Sequence, residues 1–171
     1  LYLSFFKSLL VIFLLSCSSM IYAGSPLPNS TTAFRNAVTA CLIEAPIDGL
    51  CTNYGQSSGY GVMPDWDTSQ VTNMSASFSS RTQFNGDISA WDTSSVTDMS
   101  YMFLGAEKFN NGKLPGDSKG SLSWNVSKVV IMDHMFQNAT SFNQNIGSWD
   151  VSSVQSMYVI FDNAFLFHQD L

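Results

Sequence analysis

Residues 91–103 read WDTSSVTDMSYMF, and this stretch decides the fold because its pattern recurs through the rest of the chain. The four tryptophans stand 25, 33 and 25 residues apart, and the same residue types follow each of them at the same distances. Valine comes five residues after each tryptophan, methionine eight, and phenylalanine twelve and eighteen. Residues 64–171 are therefore predicted to be a repeat of four units, the last of them incomplete. The expected repeat core is Trp66, Trp91, Trp124, Trp149, Met74, Met99, Met132, Met157, Phe78, Phe103, Phe136 and Phe161.

The length of the unit indicates how the chain buries these residues. A unit of about 25 residues cannot cover its own apolar side chains, so successive units must stack. Apolar positions within a unit fall at steps of three or four, which is typical of a helical or 3₁₀ face. Residues 88–90 and 146–148, just before tryptophan, suit a short extended strand. We therefore predict an α/β repeat solenoid with short parallel β-strands on one side, helical or 3₁₀ turns on the other, and an N-terminal helical cap.

An asparagine recurs directly after the second phenylalanine of a unit, at Asn85, Asn110 and Asn143. Side-chain amides at equivalent places can hydrogen-bond to the turns above and below, so these residues predict an asparagine ladder. A ligand-binding row is the alternative interpretation.

The second unit contains eight additional residues within 111–120. Glycine, proline and charged residues there predict a surface loop that protrudes from the stack. Two lysines on an otherwise acidic protein make the loop a candidate contact site, and a neutral insertion is the alternative. The candidate contact residues are Lys113, Leu114, Pro115, Asp117 and Lys119.

The first 23 residues have the layout of a secretory signal peptide. Lys7 precedes an apolar run over 9–15, and small and polar residues then lead to Ala23. We expect export to the cell surface or the medium with removal of this segment. The alternative cleavage site resembles a bacterial lipoprotein box and would place a lipid anchor on Cys17.

Residues 24–63 lie between the signal peptide and the repeat and read as an N-terminal cap with an amphipathic helix. Cys41 and Cys51 are the two cysteines that remain after cleavage. In an oxidising compartment such a pair predicts a disulfide. Two free buried thiols are the alternative.

Composition argues against several classes of function. The net charge of −6 disfavours nucleic-acid binding, which needs clustered Lys and Arg. Two histidines and three cysteines leave little material for a transition-metal site, and Asp65 and Asp67 lack the loop that a calcium site requires. No nucleophile with a base partner and no phosphate-binding glycine loop stands out. We expect no catalytic residues, no cofactor and no metal.

The repeat also resembles a known family. The unit W-D-T-S-x-V-T-x-M-x-x-M-F-x-x-A-x-x-F-N-x-x-I-x-x-W, clearest over 91–103 and 133–139, is similar to the repeat of BspA-like leucine-rich-repeat surface proteins. The resemblance covers 64–171 and departs at Ser77, Arg81 and His168. It implies a leucine-rich-repeat-like solenoid at the cell surface or in the medium, with a role in interaction or adhesion and without catalytic residues.

These observations predict a secreted or cell-surface scaffold that recognises a protein or a glycan. The outward positions Asn73, Asp98, Ile131 and Ser156 differ between units, which favours recognition over a structural surface-coat component without a specific ligand. A carbohydrate-active enzyme is the third interpretation, and it requires paired carboxylates in one cleft.

Overall fold

Two helices open the described part of the chain, which comprises residues 24–117 and 121–171 in a computed structural model. Helix α1 spans Thr31–Glu44, helix α2 spans Thr52–Ser58, and one 3₁₀ turn follows at Met63–Asp65. The predicted signal peptide with Cys17, and Lys119 of the candidate loop, lie outside the described residues.

Helix α1 covers the first units of the repeat. Its N-cap is Ser30, whose hydroxyl accepts a hydrogen bond from the Ala33 N–H. The ring of Phe34 meets Trp91 edge to face at 5.8 Å. The predicted disulfide is present, since Cys41 in α1 is bonded to Cys51 at the start of α2. The buried residues of α1 are Phe34, Ala37, Val38, Cys41 and Leu42.

Glu44, at the end of α1, holds the start of α2. Its carboxylate accepts hydrogen bonds from the Asn53 N–H at 3.0 Å and the Tyr54 N–H at 2.9 Å. These two backbone donors hold the pKa of Glu44 below its ordinary value of 4.5. Glu44 therefore supplies an acceptor for N–H groups that have no partner within the helix itself.

The predicted α/β repeat solenoid is wrong. From Trp66 onward, the described residues contain no helix and no β-strand. Single residues form isolated parallel bridges instead. The segments 88–90 and 146–148, predicted as strands, contain tight turns, in which the N–H of Trp91 donates to Ile88 and that of Trp149 to Ile146.

Left-handed residues explain why neither helix nor strand forms. Each unit carries two of them at equivalent positions, which are Ala76 (φ 53°) and Ser80 (φ 60°) in the first unit. Helices and strands both require negative φ at successive residues. Backbone N–H groups instead donate to the next unit, as from Met74 to the Asp98 carbonyl at 2.9 Å. The spacing of three and four that predicted a helical face therefore arises from a series of tight turns.

Stacked aromatic rings fill the interior between the units. Neighbouring rings of the first phenylalanine row are nearly parallel at 5.3, 5.5 and 5.6 Å, and those of the second row at 5.9, 6.0 and 5.7 Å. Trp66 stacks on Trp91 at 6.2 Å and Trp124 on Trp149 at 6.4 Å. The first phenylalanine row is Phe78, Phe103, Phe136 and Phe161, and the second is Phe84, Phe109, Phe142 and Phe167.

Hydrogen bonds from the tryptophans link one unit to the preceding one. The indole N–H of Trp91 donates to the Met63 carbonyl, that of Trp124 to Ile88 and that of Trp149 to Leu122. Each indole nitrogen is thereby satisfied while its ring stays in the apolar interior.

Burial of the repeat core changes along the stack. The tryptophan, methionine and phenylalanine positions of the first three units are buried. In the fourth unit Trp149 and Phe161 are partly buried, and Met157 is 37% exposed. Neither helix in the described residues has the length and apolarity that crossing a bilayer requires.

Candidate functional site

The candidate site lies on the side of the stack where the isolated bridges join the units. Asn73, Asp98, Ile131 and Ser156 occupy equivalent places in successive units and pair in that order. Their side chains range from an amide to a carboxylate, an alkyl group and a hydroxyl. The buried rows repeat the same residue types, so the chemistry of the chain varies on this face while the interior stays constant.

Three aromatic side chains follow these bridge positions and form the aromatic row, defined here as Tyr101, His134 and Tyr158. The rings of Tyr101 and His134 are stacked with centroids 4.7 Å apart and planes 10° apart. Tyr158 meets His134 edge to face at 5.5 Å. Tyr101 is 41% exposed and Tyr158 is 68% exposed. Unlike the phenylalanine rows, the aromatic row therefore presents ring surface to solvent.

Two members of the aromatic row have a costly backbone conformation. Tyr101 has φ 58° and His134 has φ 56°, in the left-handed region that disfavours residues with a bulky side chain. At the other left-handed position of the unit, the second, third and fourth units use Gly105, Asn138 and Asn163, which suit it. Non-glycine residues in this region cost about 1–3 kcal/mol and concentrate at functional sites.

Hydrogen bonds fix the polar groups around the aromatic row. Asp133 Oδ1 accepts from the Ser156 hydroxyl and from the Tyr158 N–H, the latter at 2.7 Å. These donors hold the pKa of the Asp133 carboxyl below its ordinary value of 3.8. Gln137 Oε1 lies 2.8 Å from His134 Nδ1, and the amide nitrogen of Gln137 donates to Asp162. The row therefore has ordered carboxylates beside it.

Arg35 of helix α1 binds this same face at the first unit. Its Nε donates to the Ser75 carbonyl and its Nη2 donates to the Ser75 hydroxyl, both at 2.6 Å. Ser75 stands nine residues after Trp66, and Asp133 and Tyr158 stand nine residues after their own tryptophans. In those later units the equivalent carbonyls accept backbone N–H groups, that of Asp133 from Tyr101 and that of Tyr158 from His134, so Arg35 supplies at the first unit the donor that a preceding unit supplies elsewhere.

The predicted contact loop folds back onto the stack. The amide of Asn85 donates to the Lys113 carbonyl, that of Asn110 to Leu114 and that of Asn143 to Gly116. The loop backbone is therefore tied to three successive units. Leu114 is 76% exposed and Pro115 is also exposed, whereas Lys113 and Asp117 are intermediate.

The asparagines proposed as a ladder connect units through their side-chain oxygens. Asn85 Oδ1 accepts from the Asn110 N–H at 2.8 Å, and Asn110 Oδ1 accepts from the Asn143 N–H at 2.9 Å. Asn143 Oδ1 accepts from the His168 N–H at 3.1 Å. The oxygen of each amide thus joins the next unit, and its nitrogen holds the loop.

Two hollows lie on the described part of the chain, one in the cap and one at the fourth unit. One, of about 390 Å³, lies in the N-terminal cap and is lined by residues such as Gly24, Gln56 and Val62. The other, of about 140 Å³, lies at the fourth unit among Trp149, Met157 and other apolar residues. Within 24–117 and 121–171, no three His, Cys, Asp or Glu side chains converge on a site for a metal ion.

Sequence reasoning missed the aromatic row because it searched for residues that recur. The position ten residues after tryptophan holds Ala76, Tyr101, His134 and Val159, and Tyr158 stands one position earlier in its unit, so the row has no consensus position. The available signal was the reverse one, namely aromatic residues at a place where a repeat does not conserve its core.

Comparison with known proteins gives a family for the chain. No curated protein and no solved structure matches it. The resemblance to BspA-like surface proteins stays a prediction, since the family found has a different description. Residues 55–171, well over half of the chain, match the family described as "Mycoplasma protein of unknown function, DUF285", and the chain belongs to that family.

Proposed function

We propose that the protein is a non-catalytic recognition scaffold of the cell surface or the extracellular medium, and that it binds a partner protein or glycan through the face that carries the aromatic row. The observation that carries this proposal is the pair Tyr101 and His134, whose rings stack from left-handed backbone positions and of which Tyr101 is exposed. Exposed aromatic residues are enriched at recognition sites because they offer large, rigid contact surfaces.

Export is supported by two features of the chain. Residues 1–23 have the composition of a signal peptide. The disulfide between Cys41 and Cys51 is typical of proteins in oxidising compartments and supports export. Cleavage before Cys17 is the alternative to cleavage after Ala23, and it would attach the protein to a membrane through a lipid on Cys17.

The test is a binding screen of the purified protein against arrays of extracellular proteins and of glycans. We expect at least one ligand whose binding is lost in the double variant Tyr101→Gly, Tyr158→Ser. Glycine at 101 suits the left-handed backbone, so this variant retains the fold, and its melting temperature serves as the control. A ligand that binds the variant as well as the original protein would remove the aromatic row from the proposal.

A structural surface coat without a specific ligand is the alternative that the screen also addresses. A coat protein should assemble with itself and bind no ligand on the arrays. Sedimentation of the protein at increasing concentration measures the self-assembly directly. If no array ligand binds, and the double variant assembles as the original protein does, the recognition proposal is wrong and the surface coat is the better explanation.

A further inference from the structure

We propose that the outer surface of the fourth unit binds a segment of another protein that carries this repeat pattern, and that the segment adds to the stack as a further unit. This surface is called the open end and is defined by the backbone N–H groups of Met157, Val159, Phe161 and Asn163 and by the apolar hollow beside them. The inference goes beyond the recognition proposal, because it concerns the end of the stack and not the face that carries the aromatic row.

Hydrogen bonds between peptide groups run through the stack in one direction. The N–H of Met99 donates to the Ile131 carbonyl, and the other end of that peptide group, the N–H of Met132, donates to the Ser156 carbonyl, both at 2.9 Å. Aligned peptide groups of this kind accumulate partial negative charge at the carbonyl end and partial positive charge at the N–H end. Three further series run in parallel and reach the carbonyls of Tyr158, Ile160 and Asp162.

The two ends of these series are treated differently by the chain. At the first unit, the guanidinium of Arg35 donates to the Ser75 carbonyl and places a cation at the negative end. At the fourth unit, the N–H groups that would continue the series have no acceptor among the described residues, and they are those of Met157, Val159, Phe161 and Asn163. They therefore call for carbonyl oxygens at alternate residues, which is what each unit supplies to the unit before it.

The apolar part of the open end matches the same kind of partner. The hollow, of about 140 Å³, is lined by Trp149, Met157, Phe161 and other apolar side chains. Phe136 has a stacked ring of a neighbouring unit at 5.5 Å and another at 5.6 Å, whereas Phe161 has only the latter contact, with Phe136 itself. Met157 is 37% exposed, and the methionines at its place in the other units are buried. A segment with methionine and phenylalanine at the repeat positions would continue both rows.

A second copy of this chain does not fit the open end. Two open ends brought together would oppose N–H groups to N–H groups, which repel each other. An arrangement of head to tail would need the carbonyl end of the first unit. Helix α1 covers that end, since Arg35 is bonded to Ser75 and the ring of Phe34 contacts Trp91. The open end therefore continues the interface between the third and fourth units only with a segment from a different protein.

The experiment measures exchange of backbone amides with water by NMR, in the isotope-labelled protein with and without a peptide. The probe is a synthetic peptide of residues 91–110, whose carbonyls accept N–H groups of the first unit within the chain. Exchange should slow by at least about tenfold at the open end, namely at Met157, Val159, Phe161 and Asn163. A smaller effect is expected at Ile160 and Asp162, because their N–H groups already donate within the fourth unit.

Matched controls test the apolar contacts by fluorescence anisotropy of the labelled peptide. Replacing Phe103 and Phe109 of the peptide by serine keeps its carbonyls and should weaken binding by at least about tenfold. In the protein, Met157→Gln places an amide in the hollow and should weaken binding by about fivefold or more. Phe165→Gln lies outside the hollow at a residue that is 76% exposed, and it should change binding by less than about twofold. Amide protection in the first three units shows that both variants are folded.

The outcomes separate this inference from the recognition proposal. Equal binding of the two peptides, equal weakening by the two protein variants, or slowed exchange without the alternation overturns the added-unit proposal. Slow exchange at the open end of the protein alone, appearing as its concentration rises, would assign this surface to a second copy and also overturn it. Peptide binding with the expected alternation, together with no ligand on the arrays, would leave this inference standing and remove the recognition proposal alone.

Discussion

Replacing Phe136 by alanine tests whether the interior of the stack is a continuous ladder of rings. Phe136 is fully buried and lies between Phe103 at 5.5 Å and Phe161 at 5.6 Å, with Phe142 of its own unit at 3.9 Å. Truncating a buried phenylalanine to alanine costs about 3–5 kcal/mol, part of which is the loss of ring pairs worth about 0.5–1.5 kcal/mol each. We expect the free energy of unfolding to fall by this amount.

Two variants in the same part of the chain provide the comparison. Phe161 is partly buried and stacks on Phe136 and Phe167, so Phe161→Ala should cost about 2 kcal/mol. Phe165 is 76% exposed, and Phe165→Ala should cost less than about 0.5 kcal/mol.

Urea unfolding followed by tryptophan fluorescence reports all three variants, since each unit contains one tryptophan. The free energies should rank Phe136→Ala above Phe161→Ala above Phe165→Ala. A loss below about 1 kcal/mol for Phe136→Ala, or equal losses for Phe136→Ala and Phe161→Ala, would refute the ladder.

Three further predictions concern hydrogen bonds and the disulfide. Asn110→Ala should lower the free energy of unfolding by about 1–3 kcal/mol and speed amide exchange at Asn143, whose buried N–H loses its acceptor. The pKa of Glu44 is lowered in the folded state, so the stabilisation by its carboxylate is present above pH 4.5 and is lost as the pH falls through the folded-state pKa. Protection of the α2 amides against exchange should therefore fall in that pH range in the original protein. In Glu44→Gln the same protection should not depend on pH. Reduction of Cys41–Cys51 should speed exchange first in residues 30–70, and a uniform change along all four units would contradict the capping role of α1.

The sequence predicted which residues recur but not the backbone that carries them. Residues such as Met74 and Phe78 recur because every unit offers the same surroundings to its neighbours, so their spacing marks equivalent places. The same spacing of three and four residues occurs in a helix and in a series of tight turns. The left-handed backbone of Ala76 and Ser80 excludes the helix and gives the series of turns. Alanine and serine are not residue types that indicate a left-handed conformation, so the sequence could not predict it.

The disulfide could be predicted from the sequence, whereas the contacts that hold the loop could not. The pairing of Cys41 with Cys51 was predictable because a chain expected to be exported and to lose residues 1–23 retains only these two cysteines. The loop was identified from its composition, but its attachment to the stack depends on Asn85, Asn110 and Asn143, whose amides reach across units. These contacts join residues that are far apart in sequence and depend on how the units stack, so the composition of the loop could not predict them.

The two left-handed positions of a unit connect the fold with the proposed function. The chain needs both of them, because each unit reverses its backbone there instead of continuing as helix or strand. At the second position it mostly uses glycine or asparagine, the residues that relieve strain. At the first it uses Ala76, Tyr101, His134 and Val159, although glycine would satisfy the same backbone at lower free energy. Two of these four side chains, Tyr101 and His134, stack on each other in the aromatic row, so this left-handed position places ring surface on the face that the proposed function uses.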